Sequence, residues 1–137
     1  MSNVVVTYCS KDKDPRPDLL PASERYISSR TQKVTAAAKK FQKPLYFLSA
    51  KFGLITADTP IPNYDQRLTL DDADRLVALS FEAAKQLTKD AVTNIEMVVK
   101  PEDAGAAPYI ILLVHTALLV DVPITVVSLE RFLRNAP

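Results

Sequence analysis

The sequence predicts an α/β fold: one compact three-layer domain of about four mainly parallel strands with helices on both faces. Three observations predict it. Short apolar runs at residues 4–8, 45–49, 95–99 and 124–127 have the length and composition of strands. The stretches between them carry apolar residues at helical spacing. The resulting order, βαβαβαβα, implies a parallel sheet with right-handed crossovers. The length of 137 residues suits a single domain, residues 1–137, with a real core.

The first strand ends at Cys9-Ser10 and gives way to a charged, proline-containing loop over residues 11–21. Pro21-Ala22-Ser23 starts a helix with Ser23 as its N-cap. Tyr26/Ile27, Val34, Ala37/Ala38 and Phe41 form its apolar stripe, and Pro44 stops it. After the strand at 45–49 comes a long loop. Thr69 or Asp71 then caps a second helix, whose first-turn Asp71, Asp72 and Asp74 complement the helix dipole. Its stripe reads Leu70, Ala73, Leu76/Val77, Phe81, Ala84 and Leu87. A turn containing Gly105 follows the third strand, and Pro108 opens a third helix over residues 108–121. That helix is apolar on nearly every side, so it belongs in the core or in a subunit interface. A short helix over residues 129–135 closes the chain.

Composition excludes several classes. One cysteine and one histidine cannot build a disulfide framework or a zinc site, so no metal and no cofactor are expected. The apolar stretch at 109–120 falls short of the roughly 20 residues that cross a bilayer. The apolar start at 4–6 is too short for a secretory signal. A cytoplasmic protein with no membrane partner is expected. Two glycines in the chain cannot supply a P-loop or a dinucleotide fingerprint. Cys9 and Arg16 are one residue too far apart for a CxxxxxR phosphatase loop, and two aspartates lie between them. Residues 1–43 carry nine Lys or Arg against four Asp or Glu. This basic third favours an anionic ligand, although Lys33, Lys39, Lys40 and Lys43 also suit a solvated helix face.

The most informative stretch is 45–68. A buried strand ends there at Ser49, Lys51 and Gly53, and a loop stiffened by prolines follows with Asn63, Tyr64, Asp65 and Arg67. The first strand delivers Cys9, Ser10, Lys11 and Lys13 to the same edge if the two strands are neighbours. Ammonium groups and a hydroxyl would then face one crevice suited to phosphate. Tyr64 is a candidate to stack on a base or sugar, and Asp65 a candidate nucleophile or general base. The alternatives are a tyrosine packing the loop down and an Asp65 that caps or pairs with Arg67. Cys9 is either a nucleophile or a small core residue. His115 reads as a core histidine, and Tyr109 as a further candidate for the crevice.

These residues carry a resemblance. CSKxK at 9–13, RYxSS at 25–29, LSAKFGLI at 48–55 and IPxYDxRL at 61–68 resemble an uncharacterised prokaryotic domain family that reads CSKxK, LYxSxxF, LSAKYGLL and IxPYDxTL. That family is distantly similar to the peroxide-stress protein YaaA. The match covers residues 4–70, with Phe52 in place of tyrosine, Asn63 in place of proline and Arg67 near the usual threonine. The resemblance implies an α/β domain with a basic cleft, DNA binding or oxidative-stress protection, and base-handling chemistry at glycosidic bonds. It points to Cys9, Ser10, Lys11, Lys13, Ser28, Lys51, Gly53, Tyr64 and Asp65. The expected function is therefore nucleotide or nucleic-acid binding, with an enzyme acting at an N-glycosidic bond as the fuller form. The alternative is a non-catalytic binding or scaffold protein, homo-oligomeric through the helix at 108–121.

Overall fold

The computed structural model describes residues 2–134. In chain order the elements are β1 (Ser2–Tyr8), β2 (Leu20–Pro21), α1 (Ala22–Arg25), α2 (Ser29–Lys40), β3 (Leu45–Ser49), β4 (Gly53–Thr56), β5 (Pro60–Ile61), α3 (Ala73–Lys89), β6 (Val92–Val99), α4 (Ala107–Val120), β7 (Ile124–Ser128) and α5 (Leu129–Arg134). The helix expected to reach Asn135 is described to Arg134, and Asn135 lies outside the described residues.

Five strands form one sheet in the order β4-β3-β1-β6-β7, with β2 and β5 as a separate two-stranded ribbon. The four strands expected from the sequence run parallel, and β4 adds an antiparallel edge. β1 is the centre. It pairs with β3 from Val5↔Leu45 to Tyr8↔Leu48 and with β6 from Ser2↔Val92 to Val6↔Met97. Having a strand on either side and helices above and below explains why its last five residues are all buried. The chain moves from β1 to β3 in one direction and from there to β6 on the other side of β1. Right-handed crossovers therefore place α2 and α3 on opposite faces. α2 packs with α5, where Phe41 and Phe132 meet edge to face at 5.6 Å, and α3 packs with α4.

Three local expectations are corrected. The first helix is broken: α1 ends at Arg25, Tyr26 is extended, and Ser28 rather than Ser23 caps the main helix by accepting from Thr31 N. The break lets Tyr26 bridge to Lys13, a contact that a local pattern does not reveal. The loop after Lys51 contains a strand, because Gly53 adopts φ +75° and turns the chain into a hairpin pairing Ser49 with Gly53. Finally, α3 buries Leu79, Ser80, Ala83 and Leu87, is capped by Asp72, and leaves Val77 and Phe81 exposed. Two apolar stripes run along α3, and packing on the sheet selects the second.

Candidate functional site

β1 is flanked by strands whose connections cross opposite faces of the sheet. In an open α/β sheet such a switch point leaves a crevice at the carboxyl ends of the strands. Here a cavity of about 300 Å³ opens there, walled by Tyr8 to Lys11 and Lys13 after β1, by Asp65 to Arg67, and by Asp103 to Gly105 with Tyr109 beyond β6. A second opening of about 490 Å³ continues past Lys11 and Lys13 to Asn63, Tyr64 and Asp65. A third, about 430 Å³, lies on the α2 side between Ser10, Ser28, Arg30 and Lys100. All three share Lys11.

The carboxyl ends of β1 and β3 are neighbours, which meets the condition set by the sequence reading, but the cleft opens on the β6 side of β1. Cys9, Ser10, Lys11, Lys13, Asp65 and Arg67 line its main part. Ser28 borders the third opening while its hydroxyl caps α2. Lys51 and Gly53 line none of the three. The Lys51 ammonium sits 5.5 Å from the Phe52 ring, its carbonyl accepts from Arg75, and Gly53 serves the hairpin. Tyr64 is buried rather than offered to a base. Its hydroxyl meets those of Tyr26 at 2.6 Å and Ser49 at 2.9 Å, and the Lys13 ammonium lies 4.5 Å from its ring centroid. It therefore pins the loop down. Asp65 is exposed and, among the described residues, is in no ion pair with Arg67.

The opposite wall is a stacked pair of tyrosines. The rings of Tyr8 and Tyr109 lie 5.4 Å apart at 19°. The Cys9 thiol donates to the Tyr109 hydroxyl at 3.2 Å, and that hydroxyl also accepts from Leu68 N. Tyr8 donates to Asp103 Oδ2 at 2.9 Å, while Asp103 Oδ1 accepts from Gly105 N. Burial pushes the Tyr8 phenol up to about 12 despite the nearby Arg30 cation. Burial raises Tyr26 to about 12 and drives Tyr64 and Tyr109 higher still. All four phenols are therefore neutral hydrogen-bonding groups at neutral pH, not bases.

Two buried arginines brace this edge and escaped the sequence reading. The Arg30 guanidinium lies 3.5 Å from the Tyr8 ring centroid and donates to Thr7 Oγ1, Tyr8 O and Cys9 O. Burial draws its pKa below the usual arginine value. Arg25 donates to the carbonyls of Asp14, Arg16, Asp18 and Ile61, tying the loop after β1 to β5. Asp103 also went unseen, because nothing local marks the end of β6 as adjacent to Cys9. Tyr109 joins the cleft as the sequence suggested. His115 is half-buried and bonds Ser80 through Nδ1 at 2.9 Å, away from the cleft.

The architecture is thus that of a doubly wound α/β domain with a mixed-charge cleft at its topological switch point. The chain belongs to a family of unknown function, DUF6884, whose model matches residues 4–123. Neither curated proteins nor solved structures gave a match. Among the described residues no helix is long and apolar enough to cross a membrane.

Proposed function

We propose that the protein binds a phosphate-bearing nucleotide or nucleic acid in the switch-point cleft and acts there at an N-glycosidic bond. The carrying observation is the placement of Lys11, Lys13 and Arg67 around one cavity with the exposed carboxylate of Asp65. The cations suit phosphate oxygens. A carboxylate that has no ion-pair partner among the described residues suits the positive charge that develops on the sugar as a glycosidic bond breaks. Asp65 acts as nucleophile or as the base that activates water. Cys9 is less suited to attack, since its thiol already donates to Tyr109 and is nearly buried. The motif resemblance to YaaA-type proteins supports the same reading, and the setting that goes with it is the cytoplasm, where such ligands occur.

The test is binding and turnover with adenosine 5′-monophosphate, adenosine and a short single-stranded oligonucleotide, following release of free base. Phosphorylated probes should bind more tightly than adenosine. Lys11→Ala and Lys13→Ala should each weaken that binding about tenfold. Asp65→Asn should abolish base release while leaving affinity and melting temperature nearly intact. Unchanged turnover in Asp65→Asn removes the catalytic role, and absence of binding by every probe removes the whole reading. A non-catalytic scaffold is the second reading, favoured by the exposed apolar residues of α3 and α4.

A further inference from the structure

α3 and α4 lie side by side, and the 2.9 Å contact between Ser80 Oγ and His115 Nδ1 holds those two residues at one level. Their outward face is not that of a solvated helix pair. Phe81 is 52%, Ile111 51% and Leu118 74% exposed, and α4 carries no charged residue from Ala107 to Val120. We propose that this face is the interface of a homodimer, occupied by a second copy of this chain. Each α3 lies antiparallel against its counterpart, and each α4 likewise.

The pattern on both helices fits one two-fold axis. On α3 the outward stripe is Asp74, Ala78, Phe81 and Lys85, residues that recur on one side at about 3.6 per turn. A two-fold axis across the helix midway between Asp74 and Lys85 passes between Leu79 and Ser80. It sets Asp74 opposite Lys85 of the second copy and Phe81 opposite Ala78, a large side chain over a small one. On α4 the outward pair is Ile111 and Leu118, and their midpoint falls between Val114 and His115. The axis there sets Ile111 against Leu118 of the second copy. The Ser80–His115 contact puts both midpoints at the same height, so one axis serves both helices.

Charge selects the direction. α3 has Asp74 in its first turn and Asp71 and Asp72 just before it, with Lys85 and Lys89 towards its end. Antiparallel copies set acid against base, whereas parallel copies would set like against like. Among the described residues Lys85 otherwise pairs only with Glu82 of its own helix, at 3.4 Å in an exposed pair. The inference is independent of the nucleotide reading, since the cleft lies at the amino-terminal end of α4 and not on this face.

The oligomeric state of the full chain tests it, by light scattering and sedimentation across a concentration series. The wild type should show twice the 15.1 kDa chain mass. Phe81→Glu, at a half-exposed position, should return it to 15.1 kDa with unchanged circular dichroism. Asp74→Lys and Lys85→Asp should each raise the dissociation constant at least about fivefold, and the double swap should restore it. A wild type that stays monomeric, or a dimer indifferent to Phe81→Glu, overturns the interface. A double swap as weak as the single variants overturns the antiparallel register.

Discussion

The phenol oxygens of Tyr26 and Tyr64 lie 2.6 Å apart beneath the cleft, one following α1 and the other in the loop before α3. Ser49 Oγ completes the cluster from the end of β3 and also accepts from Lys51 N and Phe52 N. Three segments distant in sequence thus converge on a few oxygens.

Removing either phenol oxygen leaves the other short of a buried partner. Tyr64→Phe and Tyr26→Phe should each cost about 1–3 kcal/mol in urea denaturation. The double variant should cost less than the sum of the two, with a coupling of about 1 kcal/mol. Strict additivity would mean that the two hydroxyls do not interact.

Arg30 should be intolerant of lysine. Its guanidinium serves Thr7 Oγ1, Tyr8 O and Cys9 O while lying over the Tyr8 ring, and an ammonium cannot reproduce that fork. Arg30→Lys and Arg30→Met should both lose about 3 kcal/mol, lowering the melting temperature by about 10 °C. A lysine variant as stable as wild type would show that charge alone suffices there.

The Tyr46 hydroxyl, 2.5 Å from Asp90 Oδ2, ties β3 to the end of α3. That bond, followed by one from Gln86, holds the Asp90 carboxyl below its usual range. A depressed folded-state pKa gives stability that is complete above the unfolded value, near pH 4, and fades as pH falls through the folded one. Wild type should therefore exceed Tyr46→Phe at pH 7 by less than about 1 kcal/mol, since solvent screens Asp90. The gap should narrow below pH 4 in denaturation series at stepped pH. A gap that widens in acid would contradict the assignment.

Much of the architecture was legible because its signals are local. Val4 to Tyr8, Leu45 to Ser49 and the other apolar runs are strands wherever they pack, and Pro108 sits in the first turn of α4, as its residue type suits. What escaped depends on distant partners. Tyr26 leaves the helix to bridge Lys13, and α3 turns Leu79 and Ala83 inward in place of Val77 and Phe81. The site divides in the same way. Cys9 to Lys13 and Asp65 were visible as polar residues following apolar runs or set in a stiff loop. Asp103 and Arg30 were not, because their meaning comes from β6 lying beside β1 and from α2 packing over it. Tyr64 was visible, but its burial, which turns it from a stacking surface into an anchor, was not.

The central position of β1 gives the cleft two unequal walls. Val5 and Val6 lie where β1 is paired on both sides and the Cys9 amide donates to Leu48 O, so these amides should be among the slowest to exchange with deuterated water. The facing wall, residues 62–67, belongs to no strand or helix and hangs mainly on the Tyr64 hydroxyl. Changes of ligand preference among related chains should therefore accumulate in that loop, with the β1 wall staying a fixed template.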